Sequence, residues 1–354
     1  MKKTRLVLQN GLIFEGEAFG YEKPASGELI FNTGMVGYAE TLSDPSYKGQ
    51  ILVFTYPLIG NYGIFSDQQQ KGDIPINFES EKIHVAGVVV NSFSEDYYHY
   101  QAKMSFDSWL KKLKIPAITG VDTRAITLNI SNSGSRLAKI ESEEENYPFF
   151  DPNKENLVKE VSIKAPKFYD AHGDKTVLIV DTGMKSNILR YVLSKKINVQ
   201  RVPWNYDFKH LKFDGILLGN GPGNPELIKE TIAILQTQLT QEKPILGICL
   251  GHQLLAIAGG ASTYKMKFGH HSQNQPCVLV GTKRVFITSQ NHGFAVDESS
   301  FTDDWQPWFF NANDGSNEGM RHKSKPFFSV QFHPEASPGP TDTNFILDEF
   351  LALL

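Results

Sequence analysis

Over the first 140 residues, apolar and polar positions alternate in short runs broken by glycine-rich turns. "KTRLVLQNGLIFEGEAFG" predicts a β-hairpin, with Asn10-Gly11 as the turn pair. "HVAGVVVNSF" (84–93) reads as a buried strand. "SFDSWLKKLKI" (105–115) has apolar residues at helical spacing, with Ser105 as its cap. Little other helix is expected in this half.

From Thr176 onward the rhythm changes to strand, helix, strand. "TVLIVDTG" is a short apolar run ending in a turn, as a buried parallel strand should be. "KSNILRYVLSKK" has helix periodicity, "NVQRVPW" and "FDGILLGNGPGNP" are further strands, and "PELIKETIAILQTQLTQEK" predicts one long helix with Pro225 near its start. "PILGIC" and "LGHQLLAIAGG" form a strand and a glycine-ended helix, and "FFSVQFHPE" a strand running to His333-Pro334-Glu335. The pattern gives an α/β fold: an open, mostly parallel C-terminal sheet with helices on both faces, after a strand-rich N-terminal domain. Residues 141–174 carry acidic runs and prolines with poor periodicity. The expected organisation is therefore 1–140, a linker at 141–174 with a short helix near 153–160, and 175–354.

The length of 354 residues fits two such domains. Hydrophobic residues make up 40% and charged residues 21%, which excludes a disordered chain. A formal net charge of −4 argues against nucleic acid as a partner. No apolar run is long enough for a membrane span, and no signal-like apolar stretch follows Met1-Lys2-Lys3. The two cysteines, Cys249 and Cys277, cannot make a disulfide framework, so a cytoplasmic setting is expected.

Gly247-Ile248-Cys249-Leu250-Gly251 joins a strand to a helix. It has the form of a nucleophile elbow with Cys in place of Ser. Small residues at 247 and 251 permit a sharp turn, the helix N-terminus favours a thiolate, and the Leu250 N–H can serve an oxyanion. Cys277, in "NQPCVLV", lacks that context and is expected in the core. Among the histidines, His333 stands out, because the spacing to Glu335 can bring imidazole and carboxylate to one side of the chain. His252 lies within the elbow helix and is poorly placed as a base. His270-His271 offers too few ligands together, so no metal is expected. Gly219 to Pro225 is a Gly/Pro turn that could present backbone N–H groups to an oxyanion, and it lacks the Lys-Ser/Thr pair of a phosphate loop.

GICLGHQ, HPE and NGPGNP together resemble the class I glutamine amidotransferases. "GELIFNTGMVGYAETLSDPSYKGQILVFTYPLIGNYG", "GVDTRAIT" and "MKFGHH…QNHGFAV" resemble the small, glutaminase subunit of carbamoyl-phosphate synthetase. Ala39 stands where that family usually has a longer polar residue, and 128–165 match weakly. The resemblance implies that Cys249 is the nucleophile, His333 the general base and acid, and Glu335 the orienting carboxylate. It implies that Leu250, Gly221 and Gly223 hold the oxyanion and substrate. Gln253, Asn291, Gly293 and Phe294 would line the L-glutamine pocket, with Ser46 reaching in from the N-terminal domain. It further implies no cofactor in this chain, ATP and Mg on a large subunit, and ammonia passing to that partner in a heterodimer or higher oligomer. Three alternatives stand beside it: a glutaminase subunit of another pathway, a partnerless cysteine amidase, and a non-catalytic interaction subunit.

Overall fold

A computed structural model of the chain describes residues 2–66, 70–71, 73–142, 144 and 146–354. Parts of the expected N-terminal domain and linker, including Met1, Gly72, Glu143 and Glu145, lie outside the described residues. The chain divides into two compact units, Met1–Lys154 and Glu155–Leu354.

The first unit is a closed barrel. Its strands are β1 (Lys3–Leu8), β2 (Ile13–Gly20), β3 (Ala25–Asn32) and β4 (Gln50–Phe54), with α1 (Tyr38–Ser43) between the last two. A small ribbon of β5 (Gln70–Lys71) and β6 (Ile74–Pro75) follows. Then come β7 (Gly87–Val89), α2 (Phe106–Lys112), β8 (Pro116–Thr119), α3 (Thr123–Ser133) and β9 (Arg136–Glu141). The barrel order is β1-β2-β8-β7-β4-β3-β9, closed by antiparallel pairing of β9 with β1. Closure leaves no free sheet edge. The hairpin at Asn10-Gly11 forms with Gly11 at φ +88, and the Ser105 side chain caps α2.

Alternate residues of the central strands serve two cores. Leu29, Ile51, Val53, Val89 and Ile118 join Leu6 and Leu8 in one cluster. Ile30, Leu52, Val88 and Ala117 pack with Tyr38, Phe106 and Trp109 in the other. Strands buried on both faces read as continuous apolar runs, which is why 84–93 shows no alternation. The helix α3 departs from the expectation of little helix here. Its mean pattern is weakly apolar, but the Asp122 carboxylate accepts the Ala125 N–H, and Ile126 and Ile130 are fully buried.

The second unit runs α4 (Val158–Val161), β10 (Lys167–Tyr169), β11 (Thr176–Asp181), α5 (Ser186–Ser194), β12 (Asn198–Pro203), β13 (Gly215–Leu218), α6 (Lys229–Gln238), β14 (Ile245–Ile248) and α7 (Leu250–Ala258). It ends with β15 (Ser262–Leu279), β16 (Val285–Asp297), β17 (Trp305–Asn311), β18 (Asn317–His322), β19 (Phe327–Val330) and α8 (Phe345–Ala352). One ten-stranded sheet has the order β10-β12-β11-β13-β14-β19-β18-β17-β15-β16. The five strands from β12 to β19 are parallel, and the pairings outside them are antiparallel. The sheet is thus mixed, not mostly parallel. The cause is the long β15–β16 hairpin with β17 and β18, which extend the parallel core by direct antiparallel neighbours without crossover helices.

Leu178 and Val180 of β11 point into a core shared with α6 and α7, through Leu235, Leu250, Leu254 and Leu255. The opposite face meets α8, whose Phe350 lies against Gly215. Helices therefore cover both faces of the parallel part.

Two helix boundaries differ from the sequence reading. Pro225 starts a separate 3₁₀ turn, Pro225–Leu227, and α6 begins only at Lys229. The Asn224 side chain caps that short turn, and Ile228 breaks the helical path with φ −102 and ψ 50. The segment 141–174 is also more structured than a tether. Tyr147 N–H donates to Glu141 and Phe150 N–H to Ser26 in the first unit, whereas β10 pairs with β12 in the second. Its helix runs Val158–Val161, after a 3₁₀ turn at Pro152–Lys154. No helix among the described residues is long and apolar enough to cross a membrane.

Candidate active site

The carboxyl ends of β11, β13, β14 and β19 lie side by side in the sheet. In open α/β sheets this edge is where ligands collect. Four of the segments that follow these strands carry the chemistry.

Cys249 follows β14 directly and caps α7, with φ 54 and ψ −105. A non-glycine residue in this region is strained. The strain is held in place by its neighbours. A Cβ on Gly251 would come within 2.4 Å of the Leu218 carbonyl oxygen, and one on Gly247 within 2.5 Å of the Gly251 oxygen. Only glycine fits either place, a stricter demand than the small residues expected from the sequence. The Cys249 N–H donates to the Val330 carbonyl at 2.9 Å, which ties the elbow to the end of β19. The thiol is buried, 2% exposed, and Sγ lies 3.7 Å from the Asn291 carbonyl oxygen.

Strand β19 ends at Val330, three residues short of His333. The imidazole and carboxylate do meet, but through a turn and not through strand alternation. The Ala336 N–H donates to the His333 carbonyl, and the His333 N–H donates to Ser289. His333 Nδ1 lies 2.7 Å from Glu335 Oε1, with both side chains buried. Burial works against a charged imidazole, but Glu335 and Cys249 outweigh it and push the His333 pKa up to about 10. Burial also opposes the Glu335 carboxylate, yet Lys185 and His333 bring its pKa down to about 2. His333 Nε2 is buried without a well-formed hydrogen bond.

The sequence reading missed Lys185. It is buried just after β11, with Nζ 3.2 Å from Glu335 Oε1 and donating to the Ala336 carbonyl. Its signal was a lone charge between a strand end and a helix start, the position where functional loops gather. His252, by contrast, is no base. It is fully buried, burial pushes its pKa down to about 3, and Nδ1 is held by Ser329 at 2.8 Å.

The turn after β13 packs against the elbow. A Cβ on Gly221 would lie 2.1 Å from the Thr182 oxygen and 2.8 Å from the Leu250 side chain. Gly223 has φ +86, which favours glycine. Leu250 opens α7, and first-turn N–H groups have no intrahelical partner.

Asn291, Gly293 and Phe294 lie on β16. Gln253 reaches them from α7, its Nε2 donating to the Phe294 carbonyl at 2.9 Å and to Gln331 Oε1 at 3.0 Å. The amide donors of Gln253 therefore tie α7 to β16 and to Gln331. The His271 imidazole meets Asn291 Oδ1 at 2.8 Å. Ser46 belongs to the first unit, in the turn Pro45–Tyr47, where its N–H donates to Asp44. Cys277 is in the core, as expected, and both cysteines are unpaired.

Fold and site together define an α/β protein with a cysteine on a strained strand-to-helix elbow, backed by a buried histidine–carboxylate pair. Residues 178–353 match the family model "Glutamine amidotransferase class-I", and residues 6–140 match "Carbamoyl-phosphate synthase small chain, CPSase domain". The chain belongs to the class-I glutamine amidotransferases of the carbamoyl-phosphate synthase small-chain kind. Multifunctional protein CAD of Squalus acanthias is 50% identical over 351 residues, covering 98% of this chain and 16% of that protein. Multifunctional protein URA2 of Saccharomyces cerevisiae is 44% identical over 382 residues, with 98% and 17% covered. Mouse "Carbamoyl-phosphate synthase [ammonia], mitochondrial" is 43% identical over 357 residues, with 100% and 24% covered. The chain thus spans 16% to 24% of the length of these relatives.

Proposed function

We propose that this chain hydrolyses L-glutamine to glutamate and ammonia. The ammonia goes to a carbamoyl-phosphate synthetase large subunit, which makes carbamoyl phosphate from bicarbonate and ATP. One relative is named for ammonia, so family membership alone leaves the nitrogen source open. Cys249 on its strained elbow, beside the His333–Glu335 pair, carries the reading for glutamine.

The chemistry is acyl transfer through a covalent intermediate. His333 takes the thiol proton of Cys249, and the resulting thiolate attacks the side-chain amide carbon of glutamine. The Leu250 N–H and the Gly221–Gly223 turn hold the oxyanion, each donor contributing roughly 10²- to 10³-fold. His333 then protonates the departing ammonia and activates the water that hydrolyses the glutamyl thioester. Glu335 orients the imidazole, and Lys185 keeps Glu335 ionised. Gln253, Asn291, Gly293 and Phe294 form the glutamine pocket. ATP and magnesium belong to the large subunit, as a heterodimer or a higher oligomer. Two unpaired cysteines fit a reducing, cytoplasmic setting.

Ammonia release from L-glutamine, with and without a large subunit, tests this for wild type and Cys249→Ser. Slow release that rises with the partner and vanishes in the variant is expected. Release indifferent to the partner leaves a free-standing amidase. Release that survives Cys249→Ser removes the assignment.

A further inference from the structure

Beside the pocket strand, four side chains converge on one point. His270 and His292 are cross-strand partners on β15 and β16. Gln290 shares the face of His292, two residues earlier, and Glu318 comes from β18. All four are buried.

The outward atoms of this group are already committed. His292 Nδ1 donates to the Phe294 carbonyl at 2.8 Å, a partner that can only accept. His270 Nε2 donates to the Asp314 carboxylate at 2.9 Å. Gln290 Nε2 donates to Cys277 Sγ at 3.2 Å and Thr288 Oγ1 at 3.1 Å.

What faces inward is then His270 Nδ1, His292 Nε2, Gln290 Oε1 and Glu318 Oε1. Gln290 Oε1 lies 2.8 Å from His270 Nδ1 and 3.0 Å from His292 Nε2. Glu318 Oε1 lies 3.2 Å from His270 Nδ1 and 3.9 Å from His292 Nε2. Lone pairs this close repel unless positive charge lies between them. A proton on His270 relieves the first and third contacts. It leaves the His292 nitrogen against an amide oxygen. Glu318 Oε2 is also buried without a hydrogen-bond partner.

We propose that His270, His292, Glu318 and Gln290 form a buried site for one divalent zinc ion. Two imidazoles and two oxygens suit zinc, and bonds of about 2.0–2.1 Å in a tetrahedron set ligand atoms about 3.3 Å apart. The ring contacts to Asp314 and Phe294 fix each tautomer so that a lone pair faces the ion. The ion pins β15, β16 and β18 together and stiffens the strand that carries Asn291 to Phe294. Its role is structural, and it takes no part in the thioester chemistry.

The test uses the full chain carrying Cys249→Ser, which removes a competing sulfur ligand. Chelator-stripped protein is equilibrated with zinc chloride, freed of excess metal and analysed for zinc, with folding followed by circular dichroism. About one zinc per chain is expected, with a thermal midpoint that rises on loading. His270→Ala and Glu318→Gln lower zinc affinity at least about tenfold. His210→Ala, at an exposed position, does not change it. Gln290→Glu keeps an oxygen ligand and retains zinc, so loss of metal in the other variants is not simple misfolding. Folded protein that retains no zinc overturns the proposal, since a turned Gln290 amide donating to both rings then closes the network. Zinc retained equally by His270→Ala and Glu318→Gln overturns it as well.

Discussion

Glu335 Oε1 sits 2.7 Å from His333 Nδ1, in a turn beyond the end of β19. The pair is a local unit that holds the ring in one tautomer, with Nε2 toward Cys249. Glu335→Gln keeps the shape but removes the anion that raises the imidazole pKa. The pH limb that reports His333 should therefore move to lower pH. The turnover rate should fall about 10²- to 10⁴-fold, less than the loss of about 10⁶ typical of a missing nucleophile. Glutaminase pH–rate profiles of Glu335→Gln and Cys249→Ser check both points. Equal loss in the two variants would count against an orienting role.

The elbow gives a second prediction. A methyl group at Gly251 meets the Leu218 carbonyl oxygen at 2.4 Å, and backbone on both sides cannot move aside cheaply. Gly251→Ala should lose about 1–3 kcal/mol of stability by overpacking. Its activity should drop further than that loss explains, because Cys249 is displaced. Urea denaturation and glutaminase rate, measured on the same preparation, separate the two effects. A variant with wild-type rate would show that the tight turn is not needed.

These two features were legible because each is contiguous in the chain. Gly247 to Gly251 and His333 to Glu335 declare their chemistry within five residues or fewer. The pairing of β9 with β1 was not legible, since Arg5 and Glu141 carry no local mark of their meeting. Nor was the ion pair of Lys185 with Glu335, which depends on two strands ending at the same edge of the sheet. Glu318 shows the limit most clearly. Its place beside His270 and His292 arises from the order β18-β17-β15-β16, and bulges in β15 around His270 hide the strand period from the sequence. Pro225 misled for a different reason: proline marks the first turn of a helix, and here that turn is a separate 3₁₀ element.

His252 makes a prediction on stability and pH. Burial alone holds its pKa at about 3, below the unfolded value of about 6.5. Above pH 6.5 both states are neutral there, and the group costs nothing. As pH falls from about 6.5 toward 3, the unfolded chain takes up the proton and the folded chain does not, so stability is lost across that window. His252→Asn should flatten this acid-side slope while costing about 1–3 kcal/mol at neutral pH for the contact to Ser329. Urea midpoints at several pH values between 4 and 7 measure it. An unchanged slope would mean that His252 is charged in the folded protein.

Gln253 tests how β16 is held. Its two amide hydrogens are spent on the Phe294 carbonyl and on Gln331 Oε1. Gln253→Glu replaces donors by a buried carboxylate facing two acceptors, whereas Gln253→Met removes the donors without adding charge. Both leave acceptors unpaired, at about 1–3 kcal/mol each. The glutamate variant should be the less stable, because burial of an unpaired charge adds to that cost. With Phe294 no longer anchored, KM for L-glutamine should rise about tenfold or more in Gln253→Glu, with a smaller change in kcat. The proposed thioester chemistry at Cys249 draws on other groups, so the two constants should separate. Steady-state kinetics on both variants, beside their urea midpoints, decide the matter. A wild-type KM in Gln253→Glu would detach Gln253 from the pocket altogether.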